Sequence, residues 1–194
     1  MAITYPLSLP ATNSVSEITL NAINAVAYSR SPFTFTGQAH AYAGEMWSAD
    51  ITLKAMRESD AEKWSAWLTA LRGQFGTFLL GNPFRNSPRG TATAATITGS
   101  AGARSVTVAK TGTLLAGDYF QLGTTTQARL YKVLEDSDGS GTLEIWPALR
   151  ASASGVAADL TSPVGAFRLS SNEASWSVNN LAVYGITFGA VEAI

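Results

Sequence analysis

Between Gln38 and Leu53 the chain alternates. Trp47, Ala49, Ile51 and Leu53 fall on one side, and Met46, Ser48, Asp50 and Thr52 on the other. A period of two marks a β-strand with one covered face. Ile18–Tyr28 alternates in part, through Ile18, Leu20 and Ala22 and then Ala25 and Ala27, and predicts a second half-buried strand. Ser29–Thr36, interrupted by Pro32 and followed by Gly37, predicts a turn or sheet edge between them. The period then changes. Trp64, Trp67, Leu68 and Leu71 stand at i, i+3, i+4 and i+7, one face of a helix predicted over Ser59–Arg72. Ser59 and Glu62 have capping-box spacing, Arg72 suits the negative helix end, and Gly73 can take the left-handed residue that closes it. Two tryptophans on one face could stack a ligand, but such stripes are usually core, and packing against a sheet is the reading adopted.

Beyond the helix the apolar runs are short. Gly76–Leu80 predicts a strand ended by Gly81, and Asn82–Gly90 (NPFRNSPRG) predicts a loop. Val106–Val108, Tyr119–Leu122, Arg129–Leu134 and Thr142–Trp146 are further strand candidates, with Asp136–Gly141 (DSDGSG) as a hairpin turn. Small residues over Ala151–Ala158 predict an exposed connection. Phe167–Leu169, Ala174–Val178 and Val183–Phe188 predict closing strands. The expected fold is therefore mainly β with one α-helix. A β-rich layer carrying the helix takes 1–88 and 165–194, a small β-barrel is inserted over 90–150, and 151–164 connects them. The barrel is expected to be separable, because its own hairpin could nucleate a core with Val106, Val108, Leu115 and Phe120.

Composition sharpens this picture. Of 194 residues, 46% are apolar, which suffices for a generous core, while only 14% are charged, against about 25% in ordinary soluble domains. A free monomer needs surface charge; a subunit that buries its surface against neighbours does not. A net charge of -1 and a pI of 5.8 argue against a chain-wide nucleic-acid surface. With no cysteine, thiolate catalysis, disulfides and cysteine zinc sites are excluded. No secretory leader is expected in Met1–Ala11, and no apolar run reaches the ~20 residues of a membrane span.

Chemistry-bearing residues are sparse. His40, the one histidine, would have to serve any Ser–His–acid triad, with Glu45 or Asp50 to orient it, but no nucleophile-elbow motif is present. Asp136, Asp138 and Gly139 echo a calcium loop whose remaining ligands are replaced by Ser140, Gly141 and Pro147. Asp118 and Asp159 stand alone, so no carboxylate pair suggests glycoside hydrolysis. Arg72, Arg85, Arg89 and Arg104 interleave with Phe75, Phe78 and Phe84, a weak nucleic-acid signal in a chain without positive total charge. The expectation is a non-enzyme with no catalytic, cofactor-binding or metal-ligating residues and no cofactor.

Several strings also carry a resemblance. SRSPFT at Ser29–Thr34, GEMWSADITL at Gly44–Leu53, WLTALRGQFGTFLLGNP at Trp67–Pro83, PRG at Pro88–Gly90, LLAGDYFQLG at Leu114–Gly123 and LEIWPALR at Leu143–Arg150 together resemble tail proteins of long-tailed bacteriophages, in particular small tail-tip subunits of the distal-tail type. The resemblance runs from Tyr5 to Glu192 in unbroken order. It implies a tail-tube-like first domain, a β-sandwich flanked by a helix over 1–88 and 165–194, and an outer second β domain. It also implies a virion protein of the tail tip, assembled in the host bacterial cytoplasm. Its partners would be copies of itself in a ring, commonly a hexamer, together with the tail tube protein, the baseplate hub protein and tail fibre or receptor-binding proteins outside. DNA would be only cargo in the lumen, and no membrane is involved. The second domain is small here and lacks a long carbohydrate-binding part, so the resemblance does not carry direct receptor binding. Two alternatives stand beside it: a tail tube subunit, and a monomeric glycan-binding module using Trp47, Trp146 or Trp176 as a stacking platform.

Overall fold

The computed structural model describes residues 3–11 and 14–194; Met1, Ala2, Thr12 and Asn13, which fall in the expected first domain, lie outside the described residues. The fold is mainly β with a single α-helix. Two long strands open it, β1 (Val15–Arg30) and β2 (Gly37–Leu53), followed by the short β3 (Met56–Arg57), α1 (Glu58–Ala70) and β4 (Phe78–Gly81). A second group comprises β5 (Ala95–Gly99), β6 (Ser105–Lys110), β7 (Tyr119–Leu122), β8 (Arg129–Val133), β9 (Gly141–Trp146) and β10 (Ala153–Ala158). The chain then returns through β11 (Val164–Leu169), β12 (Trp176–Val178) and β13 (Val183–Glu192).

The first sheet runs β1-β2-β13-β11-β4, with β3 and β12 also paired to β13. Its covered face is the stripe that alternation predicts: Trp47, Ala49, Ile51 and Leu53 are all buried. The helix closes over it with Trp64, Trp67, Leu68 and Leu71. Trp67 is edge-on to Phe78 at 5.0 Å, and its indole N–H reaches the Ser8 carbonyl at 2.9 Å. The helix starts differently from the capping-box expectation. Arg57 is its first flanking residue and no side chain caps it; Ser59 lies inside the first turn. Glu62 turns away, accepting from Ser65 Oγ at 3.0 Å and from the Tyr184 hydroxyl at 3.1 Å. One local partner, Ser65, and one tertiary partner, Tyr184, take the place of the local cap. At the other end Arg72 and Gly73 both take left-handed backbone, φ 53° and 67°, which breaks the helix as glycine there predicts.

The second sheet runs β10-β5-β6-β9-β8-β7. A bridge between Gln121 and Asp159, with both backbone bonds formed, brings its first and last strands together and nearly closes a barrel. Its interior is filled, with Phe120 stacked on Tyr131 at 5.3 Å among Ile97, Val108, Val133 and Ile145. One strand of this barrel corrects the sequence reading. Ala153–Ala158 is not a connection; it forms β10 and pairs with β5, although residues 154–157 are exposed as expected. Its sequence, ASGVAA, carries almost no side-chain signal, and only the partner strand makes it a strand. Phe78–Gly81 and Trp176–Val178 are similarly narrower than or shifted from the runs expected there.

The two cores meet along one wall. Leu130 of β8 belongs to the first core, and Tyr119 and Trp146 pack against it. The Trp47 indole donates to the Leu130 carbonyl at 2.9 Å and lies edge-on to Trp146 at 4.3 Å.

Candidate assembly interface

The expectation of a half-buried strand over Ile18–Tyr28 holds only as far as Leu20. Every residue from Asn21 to Arg30 and from Pro32 to Gly44 is exposed. There β1 and β2 run on as a two-stranded arm, about 33 Å long at the usual rise for ten residues. Cross-strand pairs place Val26 opposite Ala41 and Tyr28 opposite Ala39, the same face that carries Trp47 and Ala49 further in. The apolar stripe thus continues past the last element that covers it. Val26, Tyr28 and Tyr42 are each more than half exposed, and Phe33 at the tip is 91% exposed. Gly37 leaves room for the Tyr28 ring, where a Cβ would collide with it. Phe35, in left-handed backbone, holds the Arg30 guanidinium over its ring at 4.7 Å.

Physical chemistry makes this arm unusual. An isolated two-stranded ribbon is marginal in water, and free strand margins in monomers are normally guarded by charge, especially lysine. Of residues 21–44, only Arg30 carries a formal charge at neutral pH, beside the titratable His40. β1 borders one margin of the first sheet. On the opposite side the main order ends in β4, and β12 borders that side along the start of β13, where Tyr184 pairs with β3 on one flank and β12 on the other. β12 is also exposed and apolar, with Trp176, Val178 and, in the following turn, Leu181.

At the arm's root the chemistry is ionic. Glu45 is buried, and its Oε1 takes Arg104 Nε and Nη2, both at 2.7 Å, while Oε2 takes the Ala148 N–H at 2.6 Å. Arg150 bridges the Glu45 carbonyl and the buried Glu192 carboxylate, each at 2.6 Å. Glu192 also accepts the Trp47 N–H at 3.2 Å. Trp146 Nε1 donates to Asn24 Oδ1 at 2.8 Å. A second buried carboxylate, Asp118, accepts the backbone N–H groups of Arg89, Gly90 and Leu115 at 2.7, 3.2 and 2.9 Å, pinning the Asn82–Gly90 loop to the barrel. The sequence reading left Asp118 isolated, because none of its partners is a side chain.

The other singled-out residues stay apart. His40 is exposed on the arm, edge-on to Tyr42 at 4.8 Å; Glu45 is held by Arg104, and Asp50 accepts from Asn21. No triad is assembled from them. Asp136 accepts the Ala116 N–H at 2.7 Å, and no group of three His, Asp or Glu side chains able to hold a metal occurs among the described residues. Of the four arginines, Arg104 is consumed in the root, while Phe78 is wholly buried, so the basic-aromatic series does not form one surface. Trp47 is buried and Trp146 is partly buried; of the three platform candidates, only Trp176 presents an exposed ring. No helix among the described residues is long and apolar enough to cross a membrane. No family model matches the chain, and no curated protein matches it.

Proposed function

We propose that this chain is a structural subunit that closes into a ring with copies of itself, the β1 margin and arm of one copy meeting the β12 margin of the next. The observation that carries the reading is the arm. Its 24 residues, 21–44, expose apolar side chains with almost no charge, and a standard protein interface uses about 20–30 residues a side. Margins on opposite sides of one sheet make a head-to-tail contact, which generates a closed ring where the rotation permits. Pairing them removes both free margins at once.

The resemblance of the quoted strings to distal tail proteins extends the reading. The ring would be a hexamer at a phage tail tip, joining the tail tube to the baseplate hub and to peripheral adhesion proteins, with DNA passing through its lumen. The test is mass measurement over rising concentration, followed by negative-stain imaging. A discrete closed oligomer that disappears when Val26–Ala41 is replaced by a short glycine turn supports the ring. A chain that stays monomeric at high concentration and in the assembled particle overturns it.

A further inference from the structure

We propose that the barrel clamps the root of the arm and thereby sets the direction in which the arm points. Three observations meet at one place. First, the β1–β2 pairing shifts register between Asn24 and Val26, so the ribbon has its mechanical weak point there. Second, the residues flanking that point, Asn24 and Glu45, are gripped from the barrel side: Trp146 holds the Asn24 side chain, Arg104 and the Ala148 N–H hold the Glu45 carboxylate, and Arg150 holds the Glu45 carbonyl. Third, beyond this point no residue of the arm is buried by the rest of the chain. A hinge with contacts on one side only takes its angle from those contacts.

The chemistry of the grip suits orientation rather than adhesion. The pair joins a buried carboxylate to a half-exposed guanidinium, so desolvation and solvent screening leave it little net stability, but its hydrogen bonds fix geometry. Both Glu45 carboxylate oxygens have donors, and one of them faces two nitrogens of a single guanidinium. The Trp146 indole adds a directional bond 122 residues away in sequence. An apolar contact of equal area would tolerate sliding; this one does not. The consequence for assembly, which rests on the ring reading, is that protomers arrive with the arm already aimed and lose less conformational entropy on docking.

The absence of native cysteine permits a direct test. Gln38→Cys on the arm and Gly139→Cys on an open barrel turn carry spin labels in the otherwise unchanged full chain, diluted to the protomer. The expected result is a single narrow distance distribution. Adding Glu45→Gln with Arg104→Met, which removes both charges together, broadens it or splits it into several peaks, while far-ultraviolet circular dichroism is retained. Asn24→Ala, which deletes only an exposed hydrogen bond, covers the case in which the double variant does not fold; it too broadens the distribution. Folded variants that keep the single narrow peak overturn the clamp. Mass measurement on the same samples separates the two readings: variants with broadened distances need higher concentration to assemble if the ring reading holds. An unlabelled native chain that never assembles sinks the ring reading while the distance result stands.

Discussion

At the scale of single residues, buried polar atoms decide most. Asp118 is fully buried and answers three backbone N–H groups. Asp118→Ala leaves those donors without a partner, at roughly 1–3 kcal/mol for each that water cannot reach. The expected outcome is a loss of at least about 2 kcal/mol in urea unfolding. Two tyrosines give the chain an alkaline limit. Burial pushes the Tyr131 phenol up, against the pull of Arg150, and the hydrogen bond to Glu62 raises Tyr184. In both, the folded chain favours the neutral phenol. Their contribution is therefore complete below the unfolded value of about 10 and is lost as pH rises through the raised folded values. Lys110 works the other way. Burial lowers it despite Asp138, so its cost to the fold fades as pH climbs through its folded value. Tyr131→Phe should flatten the alkaline loss, seen as unfolding midpoint against pH. It should also lower stability at neutral pH, because the Arg150 N–H that Tyr131 accepts at 3.0 Å is left unpaired.

At the scale of elements, the helix shows what local signals can and cannot do. Trp67 is 8% exposed and packs on Phe78 and Phe188 while bonding Ser8. Trp67→Ala should cost about 3–5 kcal/mol, the usual loss for emptying an aromatic site. Ser59 separates two accounts of the helix start. As a cap, its replacement by alanine would cost about 1 kcal/mol. In the first turn and making no cap bond, Ser59→Ala should change the thermal unfolding free energy by less than about 0.5 kcal/mol. Glu62→Ala is expected to matter more, since it leaves the Tyr184 hydroxyl without its carboxylate acceptor, while Ser65 keeps its bond to the carbonyl of residue 62.

At the scale of the whole molecule, the barrel and the first sheet depend on each other. Leu130, Tyr119 and Trp146 complete the first core, and Arg104 and Arg150 neutralise Glu45 and Glu192. Deleting Thr91–Ala158 from a barrel that the sequence marks as separable would strip the cover from Trp47 and remove Arg104 and Arg150, the partners of Glu45 and Glu192. The expected product is insoluble or unfolded by circular dichroism; a folded, soluble remainder would show the wall to be dispensable. Removing the arm tip instead should leave unfolding unchanged, since nothing within the protomer packs on it.

The features legible before folding are those that repeat along the chain. The alternation that buries Trp47, Ala49, Ile51 and Leu53, the 3.6-residue stripe of Trp64, Trp67, Leu68 and Leu71, and the Gly and Pro punctuation of the loops are each encoded within a few neighbouring residues, so they survive without knowledge of the fold. Periodicity reports which side chains share a face but not whether anything covers that face. Nothing local distinguishes the buried end of β2 from its exposed arm, and only tertiary structure ended the covered stripe at Glu45. It also decided that ASGVAA is a strand, because backbone pairing with β5 needs no side-chain pattern. The root of the arm lay furthest from local reach. Glu45 meets Arg104 across 59 residues and Arg150 across 105. Pairs at such separation leave no trace in spacing, since they exist only once the first sheet and the barrel, folded against each other, fix the positions of both charges.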